Sequence, residues 1–174
     1  MNNWSILNKL LGQAPDQTLY QAISDQKEKL FRQSTHGQVK PLPGVLELLH
    51  LGKSKGLRQA ISSSAPQENI DVIVDELNLR PLFDAIVSGN KLNGKPAPDV
   101  FLASAKAIDV PPNNCLVIED AIAGVEGAKR AGMLCLAVTN TNPKENLQRA
   151  DSIVDSLLQV NASFLEELLQ KLPD

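Results

Sequence analysis

The 174-residue chain has room for one good hydrophobic core and a small attachment. A net charge of −3 and a pI near 5.4 lack the basic footprint of a nucleic-acid binder, and no apolar run approaches the roughly 18 residues of a membrane span. The start, Met1-Asn2-Asn3-Trp4, has neither the basic residues nor the apolar run of a secretory signal, so a cytoplasmic protein is expected.

The chain opens on helical periodicity. Residues 4–11 read as one helix and 15–33 as another, with Leu19, Ala22, Ile23, Leu30 and Phe31 at roughly 3.6-residue spacing and Pro15-Asp16 as the second helix's start. No strand signal precedes residue 57. His36, in the polar link 34–40, and His50, near a helix end, read as solvated side chains rather than ligands. Pro41-Leu42-Pro43-Gly44 breaks the helical region, and Pro43 is placed to open a helix over 45–53. A domain boundary is expected here, between residues 1–40 and 41–174.

Beyond it, strands and helices alternate, which implies βαβ units and a parallel sheet. Strands are predicted over 57–62, 84–87, 115–118, 134–138 and 152–154, with helices over 67–77, 99–108, 121–131 and 162–172. Cys115 and Cys135 both fall in these apolar runs and read as reduced, buried thiols; no zinc spacing is present.

The chemistry-bearing residues gather at strand ends. Ser62-Ser63-Ser64 follows the first strand and precedes Pro66, so its hydroxyls and the following N–H groups form an anion site or a helix cap. Lys95 stands between Gly94 and Pro96 in a stiff loop. Glu119 and Asp120 end the strand over 115–118, where ligands of open α/β sheets bind. Adjacent carboxylates there either share a hard cation such as Mg²⁺, or Asp120 caps the helix that follows. A hydroxyl, an ammonium and two carboxylates on one rim point to phosphate together with Mg²⁺.

In this order and spacing, Ser63, the run Gly-Lys-Pro-Ala-Pro-Asp around Lys95, and Val-Ile-Glu-Asp-Ala-Ile-Ala-Gly-Val-Glu-Gly-Ala-Lys-Arg-Ala-Gly resemble three of the four motifs of the haloacid dehalogenase-like superfamily. The branch resembled is that of sugar-phosphate phosphatases and β-phosphoglucomutases. The resemblance implies an α/β fold, a Rossmann-like parallel sheet with flanking helices, preceded by a partial helical cap over 1–40. It also implies a phosphoaspartyl mechanism on a small phosphorylated metabolite. Ser63, with Ser64 beside it, would bind the phosphoryl group and Lys95 would neutralise it; Asp120 would hold Mg²⁺, with Glu119 assisting directly or through water.

One part of that pattern is missing. The family's first motif, Asp-x-Asp-Gly, carries the nucleophile and the general acid, and the chain contains no Asp-x-Asp. The expected activity is therefore a Mg²⁺-dependent phosphomonoesterase that is silent in these residues alone. The alternatives are a phosphate-binding or interaction module without catalysis, or a β-phosphoglucomutase-like isomerase. The strand bearing that motif is central in the family, between the strands over 57–62 and 115–118. Without it, those two strands pair directly, or another chain donates a strand, or the protein is poorly folded; a marginal chain that self-associates through the exposed edge is expected. Backbone groups buried unpaired in the gap would cost roughly 1–3 kcal/mol each.

Overall fold

The computed structural model describes residues 3–14 and 16–173. Two helices come first, α1 (Asn3–Leu11) and α2 (Gln17–Thr35). The reading of Pro15 as a helix opener lies outside the described residues. Its neighbour Asp16 is the cap, its carboxylate accepting from the Leu19 N–H at 2.8 Å. The order then runs α3 (Val45–Ser54), β1 (Ala60–Ser63), α4 (Gln67–Glu76), β2 (Ala85–Ser88), α5 (Asp99–Ala107), β3 (Leu116–Glu119), α6 (Ile122–Arg130), β4 (Leu134–Val138), β5 (Ser152–Val154) and α7 (Ala162–Leu169).

Several boundaries differ from the sequence-based expectation for local reasons. Helix α3 starts at Val45 as expected and runs one residue further, to Ser54, and it is Gly44, not Pro43, that leads into it. Gly44 has φ near 89°, and a Cβ there would run into the backbone of Leu157 and Leu158. Strand β1 begins three residues late because its ladder starts where Ala60 meets Ala85. Just before it, Gln59 is held by Asp84, which takes the Gln59 N–H at 2.8 Å on its carboxylate and donates its own N–H to the Gln59 carbonyl at 2.7 Å. Strand β3 runs one residue further than expected, so Glu119 is its last paired residue, opposite Ala137.

The strands are parallel and helices cover both faces, as the α/β reading requires. On one face α5 and α6 pack Val100, Phe101, Val125 and Ala128 against Cys135 and Ala137 of β4. On the other, α3 and α7 pack Leu48, Leu165 and Leu168 against Leu134, Leu136 and Val138. Helix α4 closes a third cluster, Ile70, Val74 and Leu79, with Leu49, Ile61 and Ile86 packed against it. Helix α2 rests on α4 through a polar clamp. Asn69 of α4 is buried, accepts from Arg32 at 2.8 Å and donates to Glu28.

The sheet is split. Among the described residues, β1 pairs only with β2, while β3, β4 and β5 form a separate ladder. Strands β1 and β3 do not pair with each other; a cavity of about 590 Å³ lies between them, reached by Ser62 and Ala60 on one side and Leu116 and Ile118 on the other. Ile118, in the middle of β3, is 40% exposed. The opening thus leaves apolar surface uncovered, at a cost proportional to the area left in water.

Candidate functional site

Parallel strands deliver their carboxyl ends to one rim, and Ser63 and Glu119 are the last residues of β1 and β3. Lys95 comes from the loop between β2 and α5. Its ammonium pairs with a Glu119 carboxylate oxygen, lies 3.4 Å from the Ser62 carbonyl and sits 4.6 Å above the Phe101 ring. Both members of the pair are sheltered, Lys95 18% and Glu119 9% exposed, so water screens their attraction poorly. Gly124, in the first turn of α6, makes this possible: any Cβ at that position would overlap the Glu119 carboxylate.

Asp120 is oriented differently. Its carboxylate accepts from the Thr141 hydroxyl, and its carbonyl accepts from the Asn142 amide at 2.9 Å, so the loop after β4 holds it from two sides. Asp120 does not cap α6, one of the two roles its position allowed. The helix starts at Ile122, with Ala121 at its cap position and no side-chain cap, and it is Glu119 that accepts from the Asp120 and Ala121 N–H groups, at 3.2 and 3.4 Å.

The three serines separate. The Ser62 hydroxyl donates to Ser104 at 2.6 Å and is turned into the packing against α5. Ser63 stays at the rim, accepting from the Ala65 N–H at 3.2 Å, with its own proton left to donate. Ser64 is exposed. Neither caps α4, whose first turn follows Pro66 without a side-chain cap. The fold therefore brings Lys95 and Glu119 into contact and sets Ser63, Ser64 and Asp120 around the same rim.

The donor chemistry suits a hard cation. Mg²⁺ commonly takes one or two carboxylates and completes its shell with water and phosphate oxygens, and Asp120 with Glu119 offers that pair. Among the described residues no three His, Cys, Asp or Glu side chains form a metal cluster, so further oxygens must come from elsewhere. Both histidines are exposed. Both cysteines are free, but only Cys135 is buried as expected; Cys115, just before β3, is not. Cys135 is fully buried, and burial, with Glu119 and Asp151 adding negative charge, pushes its thiol up to about 12; Cys115 is half-buried and raised by burial.

Thr141, Asn142 and Phe101 were not among the residues picked out for the site. Thr141 and Asn142 do follow strand β4 at the same rim, and that position was the available signal. Phe101 reads as plain core; nothing in its spacing shows that Lys95 lies over it.

A model of the haloacid dehalogenase-like hydrolases matches residues 3–138. The chain belongs to this family. Similar proteins include Protein SUPPRESSOR OF QUENCHING 1, chloroplastic, of Arabidopsis thaliana, 45% identical over 66% of this chain and 12% of that protein. The phosphorylated carbohydrates phosphatase of Thermotoga maritima is 35% identical over 64% of this chain and 50% of its own length. The β-phosphoglucomutase structure from Clostridium difficile superposes with a TM-score of 0.88 at 28% identity, covering 98% of this chain and 78% of that one. The chain thus spans half or less of these two curated relatives. Among the described residues of this haloacid dehalogenase-like chain, no helix is long and apolar enough to cross a membrane.

Proposed function

We propose that this rim is the phosphoryl-binding side of a Mg²⁺-dependent phosphomonoesterase acting on a small phosphorylated metabolite such as a sugar phosphate. The observation that carries the reading is Lys95, held by Glu119 and Phe101 at the carboxyl end of the split sheet, where β1 ends in Ser63. Names of relatives support the substrate class: a phosphorylated-carbohydrate phosphatase and a β-phosphoglucomutase. In this reading residues 1–40 are part of a helical cap and 41–174 are the core.

The Ser63 hydroxyl donates to a phosphoryl oxygen, and Lys95 balances the charge on the phosphoryl group and on the carboxylate that attacks it. Mg²⁺, when bound, neutralises charge on the transferring group, and Asp120 with Glu119 would hold it. The attacking carboxylate is not among the residues of this chain, which has no Asp-x-Asp. Supplied by a further segment, its oxygen forms a bond to phosphorus as the ester P–O bond breaks. The second aspartate gives its proton to the leaving alkoxide, and water then releases inorganic phosphate and the free carboxylate.

The 174 residues alone should therefore show no turnover of p-nitrophenyl phosphate with Mg²⁺ above background. A version extended at its N-terminus by an apolar strand ending in Asp-x-Asp-Gly should show turnover, and Lys95→Ala in it should lose on the order of 10²–10³-fold in kcat, as a lost charge-stabilising donor does. Turnover by the unextended chain that Asp120→Asn abolishes, or an extended enzyme indifferent to Lys95→Ala, would contradict the reading. A second reading, a phosphate-binding or interaction module without catalysis, draws on the same missing Asp-x-Asp; an extended chain that binds phosphate but never turns over would favour it.

A further inference from the structure

We infer, on the reading of this rim as a Mg²⁺ and phosphoryl site, that Thr141 and Asn142 in the loop after β4 are positioning residues for Asp120. They fix its carboxylate so that one oxygen is kept for the cation. Asp120 follows directly on β3, at the point where the chain leaves the ladder. The Thr141 hydroxyl donates to its Oδ2, and the Asn142 side-chain amide donates to its carbonyl at 2.9 Å. One contact sets the side chain and the other sets the peptide plane that carries it. Among the described residues no group donates to Oδ1, so that oxygen keeps its lone pairs for a hard cation.

A group that positions another must itself be fixed, and this loop is fastened at both ends. It springs from β4, which is buried along its whole length. Its first residue, Thr139, donates its N–H to the Val154 carbonyl at 3.1 Å and its hydroxyl to Asp155 at 3.0 Å, so the end of β5 holds it. Past Thr141 and Asn142, Pro143 leads into a short 3₁₀ turn, Lys144–Asn146, and then Leu147 is fully buried against the α5 and α6 cluster.

The two adjacent acids have separate holders. Glu119 is engaged by Lys95 on one oxygen and by the Asp120 and Ala121 N–H groups on the other, and the loop after β4 touches neither. Thr141 and Asn142 therefore act on Asp120 alone. Thr141 is exposed and Asn142 half-buried, so losing either contact leaves no buried group unpaired and the fold loses little. The loss falls instead on cation binding, where removing a hydrogen bond to a ligating carboxylate typically weakens affinity by about 10–100-fold.

The test uses the 174-residue chain with Mn²⁺ alone as the probe, its free concentration followed by electron paramagnetic resonance. Asp120→Asn should remove the binding. Thr141→Val should weaken it by about tenfold or more, Asn142→Ala should weaken it in the same direction, and Thr141→Ser, which keeps the hydroxyl, should restore it. A second measurement needs no cation: Hα–Hβ couplings of Asp120 should report one side-chain rotamer in the chain and in Thr141→Ser, and averaging in Thr141→Val. A Thr141→Val chain that keeps its affinity, or a Thr141→Ser chain that does not regain it, would overturn the positioning role. If Asp120→Asn still removes binding in that case, the reading of the rim survives. Mn²⁺ binding indifferent to Asp120→Asn would overturn both, and an Asp120 side chain already averaged in the unsubstituted chain would overturn the positioning role whatever the cation does.

Discussion

Strands β3 and β4 lie side by side and are about equally apolar in sequence, Leu-Val-Ile-Glu against Leu-Cys-Leu-Ala-Val, yet they live in different surroundings. Every residue of β4 is buried, with Cys135, Leu136 and Ala137 at 0% exposure, while Ile118 of β3 stands 40% exposed. The composition of the two runs does not account for this. Among the described residues strand β4 has a neighbour on each edge and β3 has one only. Burial of a strand is decided by what flanks it, and an apolar run read as a buried strand can lie beside an opening.

The contrast can be broken most forcefully in β4. Leu136→Ala should cost about 2–5 kcal/mol in urea unfolding, since the fully buried side chain leaves a cavity its neighbours fill only in part. Ile118→Ala, removing a side chain already partly in water, should cost about 1 kcal/mol or less. Equal losses at the two positions would mean that β3 is as enclosed as β4.

A smaller effect should appear at the start of the other ladder. Asp84 receives the Gln59 N–H, Lys53 at 3.1 Å and Arg58 at 3.1 Å, and these hold its carboxyl down to about 2, below its ordinary 3.8. A carboxyl whose folded-state pKa is depressed stabilises the fold above its unfolded value. That contribution is lost as pH falls from about 4 through about 2. Asp84→Asn should flatten the fall in stability over that window, with thermal melts at pH 2 to 5 as the measurement. A variant with an unchanged pH profile would remove Asp84 from the account of how β1 and β2 are aligned.

The two thiols sharpen the comparison without changing stability. Cys115, just before β3, is half-buried, whereas Cys135 in β4 is fully buried with its thiol pushed up to about 12. Iodoacetamide at pH 8 should label Cys115 of the native chain well before Cys135, followed by mass spectrometry. Faster labelling of Cys135 would show that β4 opens more readily than β3.

How much of this could be read beforehand depended on whether the signal was local. Strands β4 and β5 match their predicted bounds to the residue, and each ends at a polar neighbour, Thr139 after β4 and Asp155 after β5. The start of β1 was misplaced because pairing with Ala85, a partner 25 positions away, fixes it. Ser63, Lys95, Glu119 and Asp120 were legible as a set through their order along the chain. Their partners were not: Glu119 turning to Lys95, Ser62 to Ser104 and Asp120 to Thr141 are side-chain choices made only once the strand ends come together. The opening between β1 and β3 was foreseen from the absent Asp-x-Asp. Whether the strands would close over it depended on tertiary packing, which the sequence pattern does not show.

The central claim is that the sheet is divided between β1 and β3, and amide hydrogen exchange of the 174-residue chain tests it most directly. The account predicts that amides of β4 exchange only through the slowest openings, while those of Ser62 and Ile118, beside the cavity between β1 and β3, exchange faster by orders of magnitude. Protection of Ser62 and Ile118 equal to that of Leu136 in a monomer would contradict it.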